Sequence, residues 1–361
     1  MEGLIKNGAS FINSKLCHQL PIYCYICFMR TLYLVFLFIL FIQAGYSHND
    51  IKKIQINGTA QGTTYHITYY AADSLVSKKQ IDSILDKIDS SLSIYKPWSL
   101  INQFNNSNDG LEVDKHFVNV VKKAQEVYKK TNGLFDITIY PLTEAWGFGP
   151  KKMDSVPGAA TVKQLLSCVD SKLLYWKGKK LMKKKPCVKI DANGIAQGYS
   201  VDVLADFFES NGIQNYLIEL GGEIRVKGRK PGNEKMSVGI EAPGEESDFS
   251  MIEKIIYLDN GAITTSGNYR RYYESNGKKI SHLLNPKTGY SLSNDLISVT
   301  VYAKDAITAD GYDNAIMAMG LKKGLAFVEK NKDLAAHFIY RKNDGTVADT
   351  LSKRFRILLN P

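Results

Sequence analysis

The sequence predicts an α+β fold, with a mixed, largely antiparallel sheet and helices interspersed among its strands. Apolar and polar residues alternate over residues 51–72, which is typical of half-buried strands. Between Ile81 and Leu92, apolar residues instead recur at helical spacing. The two patterns follow each other irregularly along the chain, which favours α+β over a doubly wound parallel sheet. No repeat or low-complexity linker interrupts the chain after about residue 50, so a single compact domain is expected.

Each element is predicted from its own pattern. Glycines at 58 and 62 separate two short strands within residues 51–72, and the helix near Ile81 follows. A second helix over residues 117–128 is expected to end near Gly133, a residue suited to a helix C-terminus. Residues 93–106 have the composition of a loop, with Pro97 as a helix breaker. Further strands are expected near residues 235–241, 252–258 and 296–303.

Residues 187–223 form the clearest local unit. A strand at Val188–Asp191 is expected to lead through a glycine-bearing turn into a helix at Ala196–Ser210. Gly212 ends that helix, and an apolar strand at Tyr216–Leu220 follows. The unit is therefore predicted to be strand, turn, helix and strand.

The N-terminal part of the chain is set apart from the domain. After Met29, one Arg precedes an apolar run at Leu32–Ile42, and small residues follow up to Ser47, which is the layout of a secretory signal. The run is short for a membrane span of roughly 20 residues, so an uncleaved anchor is the lesser alternative. We predict that residues 1–47 comprise an upstream extension and a signal peptide, with the start of the protein at Met29, and that residues 48–361 form the domain. The protein is expected to be exported, and either periplasmic or anchored to the outer side of the inner membrane.

The basic charge of the chain limits the kinds of ligand or partner that it is expected to bind. The formal net charge of +10 suits an anionic ligand or a solvated basic surface. The densest basic run, residues 177–186, lacks aromatic residues that stack on bases and has the pattern of a turn between two strands. Nucleic-acid binding is therefore not expected. Cys168 and Cys187 are the two cysteines of the domain, and whether they pair in an oxidising compartment stays open.

Two polar stretches are candidates for chemistry. The turn DANGIAQG (191–198) offers glycines and free helix N–H groups to a phosphate, although glycines in such a turn are more often structural. His282 is expected in a short apolar strand that directly precedes Asn285-Pro286 and the turn that follows. It is either a satisfied hydrogen-bonding residue or a catalyst.

The helix ITADGYDNAIMAMG (307–320) carries a third candidate. Asp310 and Asn314 are spaced i,i+4 and share a helix face, with Asp313 beside them. A buried carboxylate is unfavourable unless it is paired or holds a metal, and hard cations take oxygen ligands. From these residues alone, a cation site and the solvent-exposed face of an amphipathic helix are equally good interpretations.

Taken together and in order, these stretches resemble the ApbE family, the FAD:protein FMN transferases. The similarity runs from AQGTTYHI (60–67) to MAMG (317–320). It rests on six blocks in the family's order: SIYKPWSLINQFN, GLFDITIYPLTEAWGFGP, IDANGIAQGYSVD, ELGGEIRVKG, TTSGNYRRYYESNGKKISHLLNPKTGYSL and SVTVYAKDAITADGYDNA. The resemblance implies a single T-fold-like catalytic domain over nearly the whole exported part.

The resemblance also implies an activity. FAD would be split at its diphosphate, and FMN would pass to a Thr, sometimes a Ser, of a partner flavoprotein as AMP leaves. Mg²⁺ would neutralise the diphosphate oxygens, and His282 would take the proton of the acceptor hydroxyl. The implied partner is a flavoprotein subunit of a membrane redox complex, such as the sodium-pumping NADH:quinone reductase or an Rnf-like complex.

Site residues follow from the family's motif positions. The metal would be held by Asp310, by Asn314 where the family usually has Thr, and by Gly194, with Asp313 as a ligand or a neighbour of the ligands. An Asn amide oxygen is also a hard donor. The implied FAD contacts are Gln61, Tyr95, Leu134, Phe135, Asp136, Asp191, Gln197 and Leu284. Gln61 stands where Met is more frequent.

Two alternatives use the same residues. With water as acceptor, the site would make an FAD pyrophosphatase that yields FMN and AMP, and sequence separates this poorly because the acceptor lies on another chain. The other alternative is a non-catalytic exported flavin-binding protein. It is disfavoured because a carrier needs neither His282 nor Asp310.

Overall fold

The computed structural model describes residues 27–33, 50–151, 153, 155–241, 252–269, 271–275 and 277–361. The chain divides into two units, Met1–Asp50 and Ile51–Pro361. In the first unit residues 27–33 form a short helix, α1, and the rest of the predicted leader lies outside the described residues. Within the described ranges, no helix is both long and apolar enough to cross a membrane.

The second unit is built from strands and helices that intermix along the chain. The helices are α2 (Lys78–Leu92), α3 (Leu100–Asn106), α4 (Lys115–Lys130), α5 (Tyr140–Ala145), α6 (Ala159–Leu166), α7 (Ala196–Ser210) and α8 (Ala306–Lys330), with 3-10 turns at Ser171–Leu173 and Phe355–Leu359. The strands are β1 (Lys52–Ala60), β2 (Thr63–Ala71), β3 (Gly110–Glu112), β4 (Leu174–Lys177), β5 (Lys180–Lys183), β6 (Tyr216–Leu220), β7 (Glu223–Lys227), β8 (Met236–Glu241), β9 (Ile252–Leu258), β10 (Asn260–Gly267), β11 (Tyr272–Ser275), β12 (Lys278–Ser281), β13 (Leu296–Ala303), β14 (Ala335–Arg341) and β15 (Val347–Leu351).

A central eight-stranded sheet organises the unit. Its strand order is β1-β2-β6-β7-β10-β13-β14-β15, and every neighbouring pair is antiparallel. Small sheets of order β3-β5-β4, β8-β9 and β11-β12 accompany it. The largely antiparallel pairing with interspersed helices confirms the predicted α+β class.

Helices cover one face of the sheet and the β8–β9 hairpin covers part of the other. On the helical face, Tyr65 and Ile67 of β2 pack in one apolar cluster with Leu204 and Phe208 of α7. On the opposite face, the hairpin buries Met236, Val238 and Ile240 against the sheet residues Val226 and Ile263. The alternation of buried and exposed residues along β8 is what a strand lying on an apolar sheet surface requires.

Two local predictions are wrong. Residues 93–106 are not all loop, because Leu100–Asn106 forms α3, where Ser99 caps the helix by accepting from the Asn102 N–H. Val188–Asp191 is not a strand of the sheet and makes only an isolated parallel bridge at Lys189. There the side chain of Asn105 takes the place of a neighbouring strand, since it accepts from the Ile190 N–H at 2.7 Å and donates to the Ile190 carbonyl at 2.9 Å.

Candidate active site

A cavity of about 280 Å³ gathers most of the predicted site residues. It lies where the 191–198 turn, α8, β10 and the segment after β12 meet. His282 lines it directly after β12 ends at Ser281, and is therefore outside the short strand expected for it. The other predicted residues that line it are Leu134, Phe135, Asp136, Asp191, Gly194, Gln197, Leu284, Asp310, Asp313 and Asn314.

The crossing of α7 and α8 forms the floor of the site. The backbone N–H of Gly198, in the first turn of α7, donates to Oδ2 of Asp310 at 2.9 Å. A Cβ atom at position 198 would lie 2.4 Å from the Ala306 carbonyl oxygen and 2.7 Å from the Asp310 Cβ. Only glycine therefore lets the two helices approach closely enough to make this contact.

Asp310 and Asp313 form a buried acidic pair. They are 4% and 2% exposed, and Thr264 of β10 donates its hydroxyl to Oδ2 of Asp313 at 2.8 Å. Burial, with repulsion from Asp202, raises the pKa of Asp310 to about 7. Burial and then repulsion from Asp310 raise the pKa of Asp313 well above its ordinary value. Two neighbouring buried anions are unfavourable, and a bound cation is one way to offset their charge.

Asn314 completes an oxygen-rich cluster. Its Nδ2 atom donates to Asp313 Oδ1 at 2.9 Å and lies 3.3–3.4 Å from the carbonyl oxygens of Asp310 and Gly194. Ser266 donates to Asn314 Oδ1 at 3.2 Å. The amide nitrogen thus sits among three oxygen atoms, and rotating the amide by about 180° would turn its oxygen toward the same cluster.

The donor set fits a hard divalent cation. In the part of the chain that the structure describes, no group of three or more His, Cys, Asp or Glu side chains has metal-binding geometry. The cavity lining instead offers the carboxylates of Asp310 and Asp313, the Gly194 carbonyl and, once its amide is rotated, the side-chain oxygen of Asn314. Mg²⁺ accepts such thin protein coordination because it keeps waters and substrate phosphates as its other ligands.

The carboxylate of Asp136 is fixed by local hydroxyl and amide groups. It accepts from the Thr138 and Ser171 hydroxyls at 2.7 and 2.6 Å and from both of their backbone N–H groups. Burial raises its pKa, and these donors oppose the shift. Ser171 is distant in sequence, and neither it nor Thr138 was predicted as part of the site.

Asp191 is held in a similar way on the other side of the cavity. Thr143 donates its hydroxyl to Oδ2 at 3.0 Å, and the Asn193 N–H donates to Oδ1 at 2.9 Å. Burial raises the pKa of Asp191, while nearby Arg271 opposes that shift. Thr143 and Arg271 both line the cavity, and the sequence indicated neither role.

His282 has one ring nitrogen committed to the backbone. Its Nδ1 lies 3.0 Å from the carbonyl oxygen of Arg271, and its own N–H donates to the same oxygen at 3.1 Å. A protonated Nδ1 that donates to this oxygen leaves the lone pair on Nε2. Burial lowers the pKa of His282, the hydrogen bond to the Arg271 carbonyl opposes that shift and the Arg271 charge adds to it, so the net effect favours the neutral imidazole. The residue is therefore suited to accept a proton.

Gln61 and Tyr95 do not line this cavity. Gln61 lies in the β1–β2 turn with a φ of 53° and donates from Nε2 to the Ser200 hydroxyl of α7 at 2.8 Å. Tyr95 is 49% exposed, and its hydroxyl accepts from the Asn193 side chain at 3.4 Å. Both contact segments that flank the cavity, and their predicted contacts with FAD stay predictions.

Comparison with known proteins agrees with this geometry. The sequence profile of the ApbE family matches residues 61–338. The chain belongs to the ApbE family. This membership confirms the family predicted from the sequence and makes the chain an enzyme of the transferase class.

Individual ApbE proteins match over most of their length. The FAD:protein FMN transferase of Vibrio cholerae is 35% identical over 301 residues, covering 81% of this chain and 89% of that protein. The protein of the same name from Haemophilus influenzae is 34% identical over 316 residues, covering 84% and 91%. The crystal structure of the Pseudomonas stutzeri flavinyl transferase ApbE in its apo form has a TM-score of 0.78 and 32% identity, covering 86% of this chain and 98% of that one.

Proposed function

We propose that this ApbE protein is an FAD:protein FMN transferase that attaches FMN to a Thr or Ser hydroxyl of a partner flavoprotein. The single observation that carries the proposal is that His282, whose burial favours the neutral imidazole, lines the same cavity as the oxygen-bearing side chains of Asp310, Asp313 and Asn314. The transferases of V. cholerae and H. influenzae, which bear this name, support it.

The proposed reaction is a phosphoryl transfer. The acceptor oxygen forms a bond to the FMN phosphorus, and the bond from that phosphorus to the bridging oxygen breaks. The bridging oxygen leaves with AMP and keeps the electron pair. The hydroxyl proton passes to Nε2 of His282, whose Nδ1 is already committed to the Arg271 carbonyl. General-base help of this kind is typically worth about 10²–10⁴-fold in rate.

Residues around the cavity would bind and orient the dinucleotide. The Leu134–Asp136 segment, Asp191, Gln197 and Leu284 offer a partly apolar wall with fixed polar groups. The carboxylates of Asp136 and Asp191 are each held by at least two donors, so they are preorganised. We propose that Gln61 and Tyr95 contact FAD from the edge of the site.

We also propose that Mg²⁺ is the cation that Asp310, Asp313, Asn314 and Gly194 hold. When bound, it would supply positive charge to the diphosphate oxygens. The support is the donor chemistry described above.

The proposed setting is outside the cytoplasm. Cys168 and Cys187 form a disulfide with a Cα–Cα distance of 5.6 Å, and disulfides persist in oxidising compartments. Together with the signal-like stretch after Met29, this supports a periplasmic protein, free or anchored to the outer side of the inner membrane. The proposed acceptor is a flavoprotein subunit of a sodium-pumping NADH:quinone reductase or an Rnf-like complex.

The test uses the purified chain with FAD and MgCl₂, with and without such an acceptor subunit. Mass spectrometry of the acceptor is expected to show an added FMN mass on a Thr or Ser peptide, with one AMP released per FMN attached. If FMN and AMP appear at the same rate without acceptor and the acceptor mass is unchanged, the protein is an FAD pyrophosphatase and the proposal is wrong.

A further inference from the structure

A second cavity of about 490 Å³ lies beside the first, and the two share Thr265. One wall consists of residues 237–241 of β8, and we call this cavity the β8 groove. The opposite wall comes from the central sheet. Its residues are Thr64 and His66 of β2, Leu217 and Glu219 of β6, Ile224 of β7, and Ile263 and Thr265 of β10.

The two walls differ in what they present. On the sheet wall, the groove-lining residues that share a strand are two positions apart in the sequence. Side chains two apart point to the same face of a sheet, so the groove lies against one face of the central sheet. Along β8 five consecutive residues line it. Successive side chains of a strand point to opposite faces, so a run of five can line one groove only along the backbone edge. The groove therefore lies between a strand edge and a sheet face.

That edge of β8 has no strand partner in the described part of the chain. β8 pairs with β9 alone, in a two-stranded sheet. In an antiparallel pair, alternate residues direct their N–H and C=O groups away from the partner strand. The edge is also firmly placed, because Met236, Val238 and Ile240 are buried against the central sheet. It is a preformed template for strand addition.

We propose that the β8 groove binds an extended segment of the acceptor polypeptide. The segment would pair its backbone with β8 and bring its hydroxyl residue to the Thr265 end, next to the cavity that contains His282. This inference rests on the proposed function. Strand addition would supply affinity through main-chain hydrogen bonds, while the sheet side chains select the residues of the segment.

The charge of the groove favours a peptide over part of the dinucleotide. Glu219 and Glu241 both line it, and burial, with a smaller contribution from repulsion by Glu241, raises the pKa of Glu219. Carboxylates repel phosphate groups unless a cation offsets their charge, as proposed for the first cavity, but they accept hydrogen bonds from peptide N–H groups. The dinucleotide is therefore assigned to the first cavity and the acceptor to the β8 groove.

The first test fills the groove from its sheet wall. His66 is exposed in β2, and His66→Trp would place a large side chain in the groove. Gln55→Trp is the matched control, because Gln55 is exposed on neighbouring β1 opposite Thr68 and does not line the groove. The probe is the flavin-bearing subunit of a sodium-pumping NADH:quinone reductase, assayed for FMN incorporation, with FAD affinity measured by fluorescence titration.

The expected result is a rise of about tenfold or more in the KM for the acceptor in His66→Trp, with the Kd for FAD unchanged and Gln55→Trp like wild type. An unchanged KM for the acceptor would overturn the proposal. Equal losses of FAD and acceptor affinity would also overturn it, because the groove would then hold part of the dinucleotide. Failure of the wild-type chain to flavinylate the probe would instead contradict the proposed function.

A second measurement does not depend on the folding of His66→Trp. A photo-crosslinking amino acid at Gly239, exposed on β8, is expected to join the enzyme to the acceptor segment that contains the modified hydroxyl. The same group at Lys179, exposed in the β4–β5 turn, serves as control. Equal crosslinking from both positions, or a crosslink to another part of the acceptor, would refute the groove as its binding site.

Discussion

The Nδ1 atom of His282 lies 3.0 Å from the carbonyl oxygen of Arg271. A protonated Nδ1 that donates to this oxygen leaves the Nε2 lone pair for the proposed proton transfer. The carbonyl also accepts from the His282 N–H, so the residue and its ring are held by the same oxygen. The orientation of the imidazole is thus set by the backbone of the segment that contributes Arg271 to the cavity.

Replacing the base should separate binding from transfer. His282→Ala is expected to bind FAD with affinity close to that of wild type and to lose transfer by about 10²–10⁴-fold, because the acceptor hydroxyl then lacks its proton acceptor. Fluorescence titration with FAD and mass spectrometry of the acceptor measure the two properties. Transfer at the wild-type rate, at equal FAD occupancy, would exclude His282 from the mechanism.

The pH dependence should follow the same imidazole. Burial lowers the pKa of His282, so its neutral form persists to lower pH than that of an ordinary histidine of pKa about 6.5. The rate of transfer is expected to be flat near pH 7 and to fall in acid, with a midpoint below that ordinary value. Initial rates under saturating FAD between about pH 5 and 8 give the profile. A midpoint above the ordinary histidine value would contradict the assignment.

If the proposed Mg²⁺ site is correct, the acidic pair sets the magnesium concentration that the reaction needs. Asp310→Asn keeps the size of the side chain but removes one charged carboxylate from the buried acidic pair that lines the cavity. The Mg²⁺ concentration for half-maximal rate is expected to rise by about tenfold, which corresponds to about 1.4 kcal/mol of binding free energy. Asp333→Asn, at an exposed position, is the charge-matched control. Identical Mg²⁺ titrations of the two variants would contradict a cation site at Asp310.

A side chain at position 198 should prevent α7 and α8 from packing as closely as they do. In Gly198→Ala the new Cβ would lie 2.4 Å from the Ala306 carbonyl oxygen, so the helices must separate. A loss of about 1–3 kcal/mol in the free energy of unfolding is expected. Gly158→Ala is the control, since a Cβ there meets nothing within 4 Å. Chemical denaturation compares the two variants, and equal stabilities would show that the crossing can relax.

Loss of the disulfide should affect the site, because both cysteines lie close in sequence to residues that form or support it. Cys168 lies three residues before Ser171, which holds Asp136, and Cys187 lies four residues before Asp191. The bond joins cysteines 19 residues apart, and its loss is expected to lower the free energy of unfolding by about 3 kcal/mol.

The test is a double Cys168→Ser, Cys187→Ser variant, with thermal unfolding and FAD titration as readouts. A lower Tm together with weaker FAD binding is expected. Wild-type FAD affinity at temperatures where the variant is fully folded would show that the bond stabilises the fold without positioning the site.

Local periodicity was enough to predict much of the secondary structure. The helix at Ala196–Ser210 and the strand at Tyr216–Leu220 occur with the predicted bounds, because their apolar spacing and flanking glycines act within a few residues. The i,i+4 spacing likewise predicted that Asp310 and Asn314 share a helix face. Order and identity of the motifs predicted the family, which the profile match confirms.

Only the tertiary structure decided which groups satisfy the buried polar atoms of the site. Asn105 replaces a strand partner beside Ile190, 85 residues away in the chain, and Ser171 holds Asp136 across 35 residues. Thr264 reaches Asp313 across 49 residues. Such pairings depend on how helices and strands pack, and one-dimensional spacing carries no signal for them. The same holds for the β8 groove, since strands distant in sequence form its two walls.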